Sequence, residues 1–293
     1  MLAIAPAQAP HRVTGLRMPP LAFAVFGHPI AHSLSPRIHR AFGEQLGIAL
    51  EYRAIDAAPA DFAIAVQQFF AGGGRGANVT LPHKAAAFAL AQTHAAAASR
   101  VGTANVLTRT DAHRLTADNT DGSGMVRDMT ERHGADLVGR TALLLGAGGA
   151  ARGIAWNLLD AGIATLTITN RSSGGADALA SAIGQPARVT TCAWSALDTA
   201  GPYDLIVNAT SAGVLGATLE LPRSLVDEGA FCYDLSYGAA ANGFLAWANA
   251  AGAVQAVDGL GMLLEQAADA FALWHGQRPQ TQRVYQQLRE LLP

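Results

Sequence analysis

LLLGAGGAA, residues 143–151, runs from three leucines into Gly146, Gly148 and Ala151 at the spacing G-x-G-x-x-(G/A). The leucines read as a buried strand, and the following ARGIAWNLLDAG reads as a helix. Glycines at such a turn let the backbone double back tightly and approach a pyrophosphate at the helix N-terminus. The strand–turn–helix context favours a dinucleotide site over an ordinary glycine turn, with Gly146, Ala147, Gly148, Gly149 and Ala150 as its contact residues.

Downstream, ATLTITN is the next strand, and it ends in Asn170-Arg171-Ser172. An acidic residue there would hold the ribose 2′-hydroxyl of an unphosphorylated cofactor. Asn170 and Arg171 instead offer charge-assisted hydrogen bonds to a 2′-phosphate, so NADP is expected rather than NAD. The plainer reading of Arg171 is a solvated loop residue. ARVTTCAW, YDLIVNAT and AFCYDLSY continue as strands, and residues 259 to about 275 read as a helix with a shorter one after it.

Upstream, strand-like and helical runs also alternate. LAFAVFG (21–27), LEYRAID (50–56) and GANVT (76–80) read as strands, with helices at 35–47, 59–73 and from about Lys84. TANVLTRT and HRLTADN form a hairpin around Asp111, and a helix spans about 122–133. Residues 1–20 lack periodicity and read as a loose tail. The pattern predicts parallel sheets covered on both faces. A domain boundary is expected near 121–124, between an N-terminal α/β domain and a doubly wound Rossmann-type domain.

Half the residues are apolar and 14% are charged, below the roughly 25% usual in soluble domains. A net charge of −2 gives no electrostatic footprint for nucleic acid or an anionic membrane. No stretch reaches the roughly 18 apolar residues of a membrane span, and MLAIAPAQAP lacks the features of a signal peptide. Cys192 and Cys232 suggest neither a disulfide framework nor a metal site, so free thiols in the cytoplasm are expected and no metal.

Three polar clusters interrupt the N-terminal half. In HSLSP (32–36), Ser33 and Ser35 stand at a strand-to-helix junction suited to a carboxylate, although N-capping by Ser35 ahead of Pro36 is the simpler use. In DNTDG (118–122), Thr120 or Asp121 could serve only as a cap. In GANVTLPHK (76–84), Lys84 is the one lysine of the chain beside nineteen arginines. Positions that need only positive charge have accepted guanidinium. A position that must release a proton would resist that replacement, which points to a catalytic Lys84. His83 ranks below it, because its side chain should point elsewhere.

FGHPIAHSLSP, GANVTLPHK, DNTDG, GAGGAARG, TNRS, NATSAG and DGLGMLLEQAA occur in the order found in shikimate dehydrogenases, and the chain resembles that family from about residue 21 onward. The resemblance implies NADPH-dependent reduction of 3-dehydroshikimate to shikimate in aromatic amino-acid biosynthesis, with Lys84 and Asp121 as the catalytic pair. It implies substrate contacts from Ser33, Ser35, Asn78, Thr80, Asn105, Tyr237 and Gln266. Cofactor contacts would come from the glycine turn, Asn170, Arg171, Ser172, Thr210, Leu235 and Gly259. Gln266 lies on the late helix, so residues 259–293 should return to the substrate domain (21–121), leaving 122–258 for the cofactor. The state implied is a monomer or homodimer.

Three positions depart from the family pattern: Gly175 where a second basic residue is usual, Val106 for a commoner Thr, and Gly238-Ala239 in place of a Pro after Tyr237. The alternatives are a quinate/shikimate dehydrogenase using NAD, and a non-catalytic NADP-binding paralogue. Another two-domain dehydrogenase should lack the paired serines and Gln266.

Overall fold

The structure, a computed structural model, describes residues 21–110 and 114–292. The expected tail at 1–20 and the hairpin tip at Asp111 lie outside the described residues. In chain order the first half contains β1 (Leu21–Gly27), α1 (Ser35–Leu46), β2 (Leu50–Asp56), α2 (Phe62–Ala71), β3 (Gly76–Val79), α3 (Lys84–Leu90), β4 (Thr93–His94), α4 (Ala96–Val101), β5 (Val106–Arg109) and β6 (Leu115–Asp118). Then follow α5 (Asp121–Arg127), β7 (Thr141–Leu145), α6 (Gly149–Asp160), β8 (Thr165–Asn170), α7 (Ser173–Ile183), β9 (Val189–Ala193), β10 (Tyr203–Asn208), β11 (Val226–Asp234), α8 (Asn242–Ala251), β12 (Gln255–Val257), α9 (Leu260–His275) and α10 (Gln282–Arg289).

The first sheet has the order β2-β1-β3-β5-β6-β4. It is mixed: β1 runs parallel to β2 and β3, whereas β5 is antiparallel to β6, as the expected hairpin requires, and also to β3. β5 and β6 follow each other closely in sequence and pair antiparallel, the sense a short connection imposes. The second sheet, β12-β11-β10-β7-β8-β9, is parallel throughout. Its order reverses at β7/β10, the doubly wound arrangement that opens a ligand crevice beyond the strand ends. Two elements of this half, α8 and β12, escaped the sequence reading, as did β4 and α4 in the first.

Alternation along β1 divides the first core. Ala24 and Phe26 face Phe62, Val66, Phe69 and Phe70 of α2. Phe23 and Val25 face the other way with Tyr52, toward Trp274 at the end of α9. Gly76 makes room there, since a Cβ on it would lie 2.4 Å from the Trp274 indole nitrogen. The C-terminal helices pack beside this sheet. Ile38 and Phe42 of α1 cluster with Leu264, Ala268 and Phe271 of α9 and with Val284 and Leu288 of α10. Full burial of Phe42 and Phe271 contributes about 1.5–3 kcal/mol apiece.

Helix α5 joins the two halves by close approach. A Cβ on Gly122 would sit 2.0 Å from Asn157 Oδ1 of α6, and one on Gly124 would sit 2.6 Å from the Gln266 backbone nitrogen of α9. Beyond α5 the helix widens into a π turn at Asp128–Arg132. There the buried Asp128 accepts hydrogen bonds from Tyr233 Oη at 2.7 Å and Arg132 Nε at 2.8 Å. Arg132 also bonds Glu265 Oε1 at 2.6 Å, which ties the connector to α9. Among the described residues no helix is long and apolar enough to cross a membrane.

Candidate active site

Lys84 is the first residue of α3, delivered by a turn in which His83 N–H bonds Thr80 O at 2.9 Å. Its Nζ lies 2.7 Å from Asp121 Oδ2, and only 13% and 6% of the two side chains are exposed. His83 points away from this pair. Its ring is buried, stacks on Phe62 at 4.4 Å and donates from Nε2 to Ala57 O at 2.8 Å. Adjacent side chains at the start of a helix diverge by about 100°, and here one meets Asp121 and the other lands in the core.

Asn105 organises the floor. Its Nδ2 lies 2.9 Å from Asp121 Oδ1, 3.0 Å from Thr120 Oγ1 and 3.1 Å from Gln266 Oε1. Its Oδ1 accepts the Thr120 N–H at 2.8 Å, and Thr120 Oγ1 donates to Gln266 O at 3.0 Å. Two amide hydrogens serve three acceptors, so a ligand oxygen or hydroxyl entering here has an exchangeable bond to take. Thr120 and Asp121 are not side-chain caps of α5. The Asp121 N–H is taken by Asn119 Oδ1 at 3.1 Å, which leaves the Asp121 carboxylate for Lys84 and Asn105.

Asn78, on β3, donates from Nδ2 to Asn105 O at 3.3 Å and accepts from Tyr52 Oη at 2.7 Å. Tyr52 was missed in the sequence. It occupies an inward position of β2, where a buried phenol needs a partner, and that need was the available signal. Its ring stacks on the buried His39 at 4.2 Å. Burial, together with the nearby His275, pushes the His39 imidazole down to about 3, so it is a neutral plate behind the site. Neither serine caps α1: the N-cap is Leu34 with no side-chain cap, Ser35 is already the first helical residue, and Ser33 Oγ accepts the Ser35 N–H at 3.3 Å. Thr80 closes the β3 end, with its N–H on Phe26 O at 2.9 Å. Tyr237 is half-buried against the α1/α9 cluster, and burial followed by the Asp258 charge raises its pKa.

Just after β7, Gly146 takes φ +105° and lies against Ala209 O, where a Cβ would come to 3.0 Å. A Cβ on Gly148 or Gly149 would meet nothing within 4 Å, so the turn before α6 is an open cradle. Gly148 caps α6 with no side-chain hydrogen bond, and the free N–H groups and open space fit a pyrophosphate. Asn170 Nδ2 bonds Ser172 O at 3.0 Å and Ser172 Oγ at 2.9 Å, which shapes the loop beneath the exposed Arg171. A Cβ on Gly175 would come to 3.1 Å from Asn170 Nδ2. Thr210 is held by Asn208 Oδ1, Leu235 N–H bonds Asn208 O at 2.9 Å, and Gly259 N–H bonds Ser236 O at 2.8 Å.

Two departures from the family pattern have local reasons. Val106 is fully buried between β3 and β6, where a methyl in place of a hydroxyl needs no partner. Gly238 has φ +60° and donates its N–H to Asp258 Oδ2 at 3.1 Å, both of which a proline would forbid.

Residues 25–107 match the family described as "Shikimate dehydrogenase substrate binding domain". Residues 128–226 match "Shikimate / quinate 5-dehydrogenase", and 259–289 match "Shikimate 5'-dehydrogenase C-terminal domain". A Xylella fastidiosa (strain M12) protein named shikimate dehydrogenase (NADP(+)) is 57% identical over 92% of this chain and 95% of its own. The crystal structure of an Ael1 enzyme from Pseudomonas putida superposes with a TM-score of 0.84 at 42% identity, covering 92% and 98% of the two chains. The Thermus thermophilus shikimate 5-dehydrogenase, solved with NADP(H) and shikimate, gives 0.80 at 33% identity over 93% and 100%. With both halves matched in order and relatives this similar along nearly its whole length, the chain belongs to the shikimate dehydrogenase family.

Proposed function

We propose that this chain catalyses the reversible NADPH-dependent reduction of 3-dehydroshikimate to shikimate, with Lys84 and Asp121 handling the proton. The observation that carries this reading is the enclosed 2.7 Å contact between Lys84 Nζ and Asp121 Oδ2, together with a glycine cradle that fits a dinucleotide at the start of α6, the helix whose Gly153 packs against Asp121. The named relatives favour NADP and shikimate over the NAD-linked quinate alternative.

When bound, NADPH supplies the hydride that adds to the carbonyl carbon. The Lys84 ammonium faces the carbonyl oxygen, stabilises the negative charge that builds there and donates a proton to it. One ammonium hydrogen is committed to Asp121, which leaves two for the substrate oxygen and for recharging from solvent. Asn105 holds the far oxygen of Asp121, so the carboxylate aims the ammonium and accepts from a ring hydroxyl. In the reverse direction neutral Lys84 takes the hydroxyl proton.

Ser33, Ser35 and Tyr237 receive the substrate carboxylate, and Asn78, Thr80, Asn105 and Gln266 receive its hydroxyls. The cradle Gly146–Ala150 takes the pyrophosphate, Asn170, Arg171 and Ser172 the 2′-phosphate end, and Thr210, Leu235 and Gly259 the nicotinamide end. Residues 21–121 with 259–293 form the substrate domain and 122–258 the cofactor domain. The enzyme works in the cytoplasm, as monomer or homodimer. Shikimate oxidation with NADP+, followed at the nicotinamide absorbance, tests the reading; absence of turnover with either NADP+ or NAD+ would refute it.

A further inference from the structure

Asn208 and Asp234 are the last residues of neighbouring parallel strands, in register across β10 and β11. Both are buried, at 2% and 1% exposure, and Asn208 Nδ2 donates to Asp234 Oδ2 at 2.8 Å. The remaining oxygens of the pair reach outward into the two loops beyond the strands. Asp234 Oδ1 accepts the Ser236 N–H at 2.7 Å, while Asn208 Oδ1 accepts the Thr210 N–H at 3.1 Å and its hydroxyl at 2.8 Å. The Leu235 N–H returns to Asn208 O at 2.9 Å.

We propose that the Asp234–Asn208 pair is a positioning device that sets cofactor and substrate contacts together, by fixing the 235–237 loop from beneath. This rests on the function proposed above, in which Leu235 meets the nicotinamide end and Tyr237 the substrate carboxylate. Both residues leave the strand through one turn whose path Asp234 dictates. The loop has no slack on its other side, because a Cβ on Gly259 would lie 2.3 Å from Leu235 O. Its far end is fastened by a second carboxylate, Asp258, which accepts the Gly238 N–H and is paired with Arg289.

A buried carboxylate is costly unless compensated, and among the described residues no cation pairs with Asp234. An apolar pair would join β10 to β11 equally well. It would not order the two loops, and ordering them is what the three donors around this pair accomplish.

The test uses Asp234→Asn and the exchange Asp234→Asn with Asn208→Asp, in the full-length enzyme. In the single variant two amide NH2 groups compete for one position, so one charge-assisted bond is lost. KM for NADP+ and for shikimate should both rise about tenfold or more, with kcat falling less. The exchange restores every donor–acceptor relation and the net charge, with the carboxylate now accepting from Thr210, and both KM values should return to wild type. A single variant with unchanged KM values overturns the proposal, as does an exchange variant no better than the single, or one that does not fold. NADPH affinity measured by fluorescence on the same samples separates the two ideas. Failure of wild-type turnover contradicts the proposed function, whereas unaltered NADPH binding in Asp234→Asn contradicts the positioning role.

Discussion

Lys84 Nζ and Asp121 Oδ2 stand 2.7 Å apart, yet they come from the starts of two different helices, α3 and α5. Asn105 holds the other Asp121 oxygen at 2.9 Å. The ammonium is therefore aimed by a carboxylate that is itself aimed. Lys84→Ala should lower kcat by about a hundredfold or more, the scale of a lost general acid. It also leaves Asp121 uncompensated, at a cost of up to about 3–5 kcal/mol if the site stays dry. Turnover is therefore compared per folded molecule, by denaturation of the same sample. Lys84→Arg should fail as well, because guanidinium keeps its proton.

The exposed Arg171 follows β8, and in the proposed function it contacts the cofactor 2′-phosphate. Arg171→Ala should raise KM for NADP+ about ten- to a hundredfold, from loss of about 1.5–3 kcal/mol of charge-assisted hydrogen bonding, and leave KM for NAD+ unchanged. Equal losses with both cofactors would move Arg171 out of this role.

Gly124 packs against the backbone of Gln266, which the proposed function places at the substrate. In Gly124→Ala the new methyl would lie 2.6 Å from the Gln266 nitrogen, and α9 must shift. Overpacking predicts a loss of about 1–3 kcal/mol in chemical denaturation, together with a higher KM for shikimate. Full stability would mean that α9 gives way freely.

Burial pushes the Asp234 carboxyl up to about 6, against hydrogen bonds from Ser236 and Asn208 and with the Asp258 charge adding to the rise. Its folded pKa lies above its unfolded one, so its contribution to stability is present below about 3.9 and is lost as pH rises through about 6. Binding runs the opposite way. Below about pH 6 the added proton turns an acceptor oxygen into a donor, and NADP+ should bind more weakly. The charged neighbours are Asp258 and its partner Arg289, so the control is Asp234→Asn, in which this acidic limb should disappear.

Much of the fold was legible. The pattern LAFAVFG placed β1 at Leu21–Gly27, and Gly47 ends α1 with φ +68°, as a C-terminal glycine does. The antiparallel sense of β5 and β6 was legible from the expected hairpin, but that of β3 and β5 was not, since alternation reveals a strand but not its neighbour's sense. α8 and β12 were missed because a ten-residue alanine-rich helix and a three-residue strand carry little periodicity. Lysine scarcity singled out Lys84, which the structure sets 2.7 Å from Asp121. The bond from Asn105 to Gln266 spans 161 residues, and only tertiary structure brings the two together. Tyr52 and the Asp234–Asn208 pair stayed hidden for the same reason: their partners lie on other strands.

The most direct measurement is the initial rate of shikimate oxidation with NADP+ and with NAD+, for the wild type, Lys84→Ala and Lys84→Arg. NADP+-preferring turnover is expected in the wild type, and near-complete loss in both variants. An active, folded Lys84→Arg enzyme would contradict it, because charge without a removable proton would then suffice.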